Sequence, residues 1–249
     1  MLAYCYYAVV IGRSPGIYTN WSTYIDQVWG YSGAISQGFP TKSAAVTFLI
    51  TGKRVLTNGT LQMSINSSHL NELTPRVNVY ADGACGRYGS SDFIAGGIGV
   101  YYGKADPRNV SKTLIEVDCN DDCKSHRAEL LAIKCALDNE AKLLKDGTSE
   151  GPINIHSDSL QSLLSMTFLR EYWKVNGWRK LSGGRIKDMD LIVPMSRQLD
   201  SINQIYNDKW WGPVQFTKVP SHSNVSGNIY ADCLAKQGAD EMFSILYTD

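Results

Sequence analysis

Val77-Asn78-Val79-Tyr80-Ala81-Asp82-Gly83-Ala84 alternates apolar and polar side chains and then reaches an acid. Period-two alternation with β-branched residues predicts a strand over 77–81. Asp82 is expected where that strand stops, with Gly83 turning the backbone sharply. In α/β sheets ligands gather at the carboxyl ends of strands, so an acid there is a candidate metal ligand. Taken alone, an aspartate at a strand end more often just begins a turn.

Three later stretches add acids of the same kind. In Arg127-Ala128-Glu129-Leu130-Leu131 the glutamate opens a long helix. Ala132, Ile133, Ala136 and Leu137 follow at helical spacing, so Glu129 heads the face that packs on the sheet. A carboxylate there is costly without a partner. Ile153-Asn154-Ile155-His156-Ser157-Asp158-Ser159 reads as a second strand ending in an acid, and Asp232 lies in line with Ile229, Ala235 and Ala239 on a C-terminal helix. Four acids at buried element ends repel one another, and divalent cations are the natural remedy.

The segments YADGA, HRAEL, HSDS and VPSHSNVSGNIYADCLA, in this order, resemble the ribonuclease H family, in particular the cellular type 1 enzymes. They span most of residues 76–240. The resemblance implies an α/β catalytic domain over 76–243, a five-stranded mixed sheet flanked by helices. It implies metal binding by Asp82, Glu129, Asp158 and Asp232, and a mobile active-site histidine at His222. The expected cofactors are two divalent ions per site, Mg²⁺ with Mn²⁺ as an alternative, about 4 Å apart. Carboxylate oxygens suit Mg²⁺, which accepts substrate phosphate as a ligand. The implied reaction is endonucleolytic cleavage of the RNA strand of RNA/DNA hybrids, leaving 5′-phosphate and 3′-hydroxyl ends.

Upstream, residues 6–49 read as strand, turn, strand, helix around Trp21–Val28, strand near Ala34–Phe39, and a helix capped by Thr41. The Gly-Arg-x-x-Gly turn, Trp21, Gln27-Val28, Gly33-Ala34 and Phe39 resemble the hybrid-binding, viroplasmin-like domain of eukaryotic type 1 ribonucleases H. That implies a small α+β domain over 1–51 in which Tyr7 and Trp21 stack on sugars and bases. Members commonly carry an aromatic and two lysines before the position of Phe39, where this chain has Ser36-Gln37-Gly38, so weakened hybrid binding is expected. Residues 52–75, rich in Thr, Asn, Ser and Gly, read as a linker.

The 249 residues carry 24 basic and 24 acidic side chains, so a nucleic-acid partner must be met by local charge. Such charge gathers in 170–187, with six basic side chains against one acid, interleaved with aromatics. Trp173, Lys174, Asn176, Trp178, Arg179 and Lys180 are the candidate contacts, on a stretch resembling the family's basic protrusion. Ser125 and His126 stand where members commonly carry Asn-Gln, and are expected to touch the RNA strand, whose 2′-hydroxyl marks it. Asp118, Asp121 and Asp122 read as a solvated acidic loop. The six cysteines show no regular framework, which predicts reduced thiols and an intracellular setting, with nucleus, cytoplasm and mitochondrion all open. Residues 2–11 read as a strand rather than a leader, no segment is apolar enough to cross a bilayer, and a monomer without obligate protein partner is expected. The competing function is a hybrid-binding scaffold with a vestigial nuclease domain, against which four intact acids argue.

Overall fold

The computed structural model describes residues 6–29, 31, 34–51, 75–87, 94–118, 123–180, 184–221 and 224–247. These fall into two compact units divided between Ile65 and Asn66. Apart from Pro75, the expected linker lies outside the described residues.

In the first unit, β1 (Tyr6–Ile11), β2 (Gly16–Tyr18), α1 (Trp21–Val28), β3 (Ile35–Phe39) and α2 (Lys42–Thr51) follow in order. The strands form an antiparallel sheet, β2-β1-β3. Asn20 starts α1 by accepting the backbone N–H groups of Ser22 and Thr23 on its side-chain oxygen. Thr41 does the same for Ala44 at 3.2 Å. The core beneath is small: Ala8, Phe39, Ala45 and Phe48.

The second unit is built on a five-stranded sheet in the order β6-β5-β4-β7-β8. Here β4 spans Val77–Arg87, β5 Ile94–Tyr101, β6 Val110–Thr113, β7 Ile153–Ser157 and β8 Gln215–Lys218. The first three strands are antiparallel; β7 lies parallel to β4, and β8 parallel to β7. Helices α3 (Leu114–Val117), α4 (Ser125–Asp146), α5 (Leu160–Met166), α6 (Phe168–Val175), α7 (Met189–Asp208) and α8 (Ser226–Tyr247) surround it. Strand alternation sends Val79, Ala81, Ile98 and Val100 to one face. There they share a core with Leu130, Ile133 and Leu137 of α4 and with Leu199 and Ile202 of α7. The other face belongs to α8, which comes so close that a Cβ on Gly99 would stand 2.0 Å from the Ala231 carbonyl oxygen.

The turn expected at Gly83 is not there. β4 continues through Asp82 to Arg87, with Gly83 paired to Ile98 across the sheet. Glycine is required for a different reason: a Cβ on Gly83 would lie 2.3 Å from the Ala128 carbonyl carbon and 2.4 Å from the Glu129 nitrogen. Its missing side chain lets the start of α4 rest on the strand.

The expectation of reduced thiols is also corrected. Cys85, on the outer half of β4, is disulfide-bonded to Cys123, just before α4, across 38 residues of sequence. Their juxtaposition comes from the strand running past Asp82, which spacing along the chain did not reveal. Among the described residues Cys135 and Cys233 are free thiols.

Candidate active site

Because β4 and β7 are parallel with Tyr80 opposite His156, the acids two residues further along each strand arrive side by side. Glu129 joins them from the second turn of α4, which Gly83 admits to the strand. One oxygen from each of Asp82, Glu129 and Asp158 lies within 4.8 Å of the others. Asp82 is buried and accepts the Gly83 N–H at 2.8 Å. The Oε2 of Glu129 is buried with no hydrogen-bond partner.

Crowding and desolvation make these acids hard to ionise. Burial first, and then the Asp158 charge, raise Asp82 to about 7. Burial and the charges of Asp82 and Asp158 raise Glu129 to about 10. The metal-free cluster therefore keeps a proton at neutral pH. A set of oxygen donors with one buried oxygen orphaned fits a hard divalent cation. The residues present match the group that the sequence implied.

Asp232 is held apart from that trio. Its Oδ2 pairs at 2.7 Å with Lys236, one turn along α8. It is still near enough to help raise Asp82. His222 lies outside the described residues.

The expected nucleic-acid contacts divide. Ser125 is exposed on the first turn of α4. His126 is largely enclosed, its Nδ1 3.2 Å from Ser162 Oγ and its Nε2 3.8 Å from Asp188 Oδ2. Trp173 is corrected outright: it is 8% exposed and packs in the core, because α6 turns that face inward. Lys174 is tied to Asp200 at 2.7 Å and to Glu171 at 3.2 Å, and Arg170 is buried against Asp200 at 2.8 Å. Two of the six basic side chains are thus neutralised by acids, one from a helix the local charge count did not include. Asn176 and Trp178 are half-buried, and Trp178 adopts φ 59°. Arg179, Lys180, Arg185 and Lys187 remain exposed. Arg179 and Arg185 form an antiparallel bridge on the rim of a 760 Å³ cavity also lined by Trp178, Asp188 and Met189.

Asp118 does not belong to a solvated loop. Its side chain is buried against Arg127, which also pairs with Asp190 at 2.7 Å and Asp188 at 3.4 Å. Asp121 and Asp122 lie outside the described residues.

In the first unit, Tyr7 and Trp21 meet edge to face with ring centres 5.3 Å apart. Sequence reasoning missed Tyr24, whose ring stacks on Tyr7 at 4.8 Å and whose hydroxyl meets Ser36 at 2.9 Å. Its position three residues after Trp21 on one helix is the signal that could have found it.

Residues 5–49 match the family described as the ribonuclease H1 N-terminal domain, and residues 74–240 match the RNase H family. Ribonuclease H of Schizosaccharomyces pombe is 29% identical over 281 residues, covering 95% of this chain and 97% of that protein. Ribonuclease H1 of Mus musculus is 30% identical over 165 residues, covering 66% of this chain and 50% of the relative. This chain therefore matches about half the length of the mouse protein. Among solved structures, the foamy viral protease-reverse transcriptase in complex with RNA/DNA hybrid aligns at a TM-score of 0.50 and 17% identity, over 80% of this chain and 26% of that one, a likeness of fold. The RNase H match extends over more than half of the chain, and the chain belongs to the ribonuclease H family.

Proposed function

We propose that the protein is an endonuclease that hydrolyses the RNA strand of RNA/DNA hybrids with two divalent cations, Mg²⁺ or Mn²⁺, leaving 5′-phosphate and 3′-hydroxyl ends. One observation carries this reading: three acids from three elements converge within 4.8 Å around a buried, unpartnered carboxylate oxygen. Binding a hybrid requires no such cluster, so a purely scaffolding role leaves its electrostatic cost unexplained.

Asp82, Glu129 and Asp158 would hold the cations, with Asp232 joining once it leaves Lys236. When bound, the cations supply a water of lowered pKa and neutralise charge developing at the phosphate. The chain's own residues do the positioning. Gly83 N–H fixes the Asp82 carboxylate, and the close approach of α4 fixes Glu129. Ser125, exposed beside Glu129's helix start, offers a hydroxyl that donates to and accepts from a ribose 2′-hydroxyl. Exposed Arg179, Lys180, Arg185 and Lys187 meet phosphates of the DNA strand. Tyr7 and Trp21, braced by Tyr24, present rings to the hybrid. His222 is assigned proton movement or product release, work to which an imidazole is chemically suited.

The test is cleavage of end-labelled RNA/DNA hybrid, single-stranded RNA and duplex DNA, with Mg²⁺ and with chelator. Cleavage of the hybrid's RNA strand alone, abolished by chelator, is expected. Metal-independent cleavage, or intact hybrid under all conditions, refutes the reading.

A further inference from the structure

The N-terminal part of α4 carries both Glu129 and, three residues earlier, His126, which the sequence marked as a contact to the RNA strand. Its ring is not presented that way. Only 10% of the side chain is exposed, and each ring nitrogen faces a protein group. Ser159 Oγ donates to Ser162 Oγ at 2.8 Å. Ser162 Oγ in turn lies 3.2 Å from His126 Nδ1, within hydrogen-bond reach. On the other side of the ring, Nε2 faces Asp188 Oδ2 at 3.8 Å, a buried oxygen with no hydrogen-bond partner of its own. Arg127 holds the other Asp188 oxygen at 3.4 Å.

This chain of contacts ties together the elements that deliver two of the three clustered acids. Ser159 directly follows Asp158 and caps α5, and its N–H donates to Ser157 Oγ at the end of β7. Ser162, the next link, is completely buried. His126 joins that turn to α4, and Asp188, at the N-cap of α7, faces its far side at 3.8 Å.

We infer that His126 is a positioning residue of the carboxylate cluster, locking the Asp158 turn against the Glu129 helix, and that it does not read the RNA strand. Recognition of the strand beside α4 falls to exposed Ser125. The inference rests on the metal-site reading above. Outer contacts that orient metal-binding groups are worth about 10–100-fold in metal affinity.

The experiment counts bound Mn²⁺ by electron paramagnetic resonance on the full chain without nucleic acid, comparing wild type with Ser162→Ala, His126→Ala and His126→Gln. Folding is checked by thermal unfolding in chelator, and KM and kcat are then measured on hybrid. Ser162→Ala and His126→Ala are expected to weaken Mn²⁺ binding by about tenfold or more. His126→Gln, which retains an amide donor and acceptor, should recover part of that loss, while KM for hybrid stays within about twofold. Unchanged Mn²⁺ affinity with a raised KM and relaxed selection of RNA over DNA would make His126 a strand reader and overturn the inference. Unchanged binding and kinetics in folded His126→Ala would overturn it as well. Failure of the wild-type chain to bind Mn²⁺ refutes the metal site itself, an outcome separate from either.

Discussion

Substituting Gly83 by alanine tests whether the fold itself places Glu129. The added Cβ would stand 2.3 Å from the Ala128 carbonyl carbon, 2.4 Å from the Glu129 nitrogen and 2.8 Å from the Ala128 Cβ. Carbon atoms rest at about 3.5–4.0 Å, so the helix start must retreat from the strand by about 1 Å or more. Two of the three atoms met are backbone, which no rotamer change can move aside. Overpacking of a core costs about 1–3 kcal/mol, and this position belongs at the upper end. For a unit of this size, about 3 kcal/mol corresponds to a fall in Tm of about 6–12 °C. Gly86 provides the control on the same strand, since a Cβ there meets nothing within 4 Å. Gly86→Ala should be neutral or stabilise by about 0.4–1 kcal/mol through the unfolded chain. The assay is thermal unfolding of both variants in chelator, followed by Mn²⁺ binding, which Gly83→Ala should also weaken because Glu129 moves with the helix. Equal melting temperatures for the two variants would refute the close-approach argument.

Asp82→Asn and Asp158→Asn should each abolish Mg²⁺-dependent cleavage while hybrid binding in chelator is retained; activity surviving in either variant removes that acid from the metal set. Asp82 is raised from the ordinary carboxylate range to about 7, so the folded protein binds a proton that the unfolded chain has released. The cluster's contribution to the stability of the metal-free protein is therefore fully present below the unfolded values; Asp82's share is lost as pH rises through about 7 and Glu129's as it rises through about 10, whereas saturating Mg²⁺ should flatten that decline. A metal-free protein as stable at pH 7.5 as at pH 5 contradicts this. Neutralising Arg179 or Lys180 should lower the log–log salt slope of hybrid binding by about 0.9 per lost phosphate contact, and Lys174→Ala should leave it unchanged because Asp200 already holds that ammonium. A slope change for Lys174→Ala alone would reverse the assignment.

How much of this was legible in the sequence depended on the range of the interaction involved. The alternation in 77–81 and the 3.6-residue stripe after Glu129 are local signals, and both elements form where those signals lie. β4 pairs in parallel with β7, and that long-range pairing is what brings Asp82 and Asp158 together. Gly83 was misread because a glycine at a turn and a glycine under a packed helix look the same along the chain. Only the position of Ala128 distinguishes them. The Cys85–Cys123 pairing was hidden for a related reason, since it depends on β4 running past Asp82 to Arg87.

The basic stretch shows a subtler limit. Counting charges in 170–187 treated every cation as available to a ligand, but availability depends on which acids the fold brings near. Asp200 lies on the next helix and takes both Arg170 and Lys174. Trp173 is lost to the core by the same helix face. The cations that remain exposed are Arg179, Lys180, Arg185 and Lys187, beside the bridge between Arg179 and Arg185. The division has a physical logic. A helix that carries a nucleic-acid contact must itself be anchored, and α6 uses its first cations and its tryptophan for anchoring. The charge that serves recognition then lies beyond the helix end, where the backbone at Trp178 and Asp188 adopts the left-handed region. Recognition by this surface should therefore be sensitive to the geometry of residues 176–188 as well as to their charge. An insertion there that preserves every cation should still weaken hybrid binding, and unaltered affinity would show that charge alone suffices.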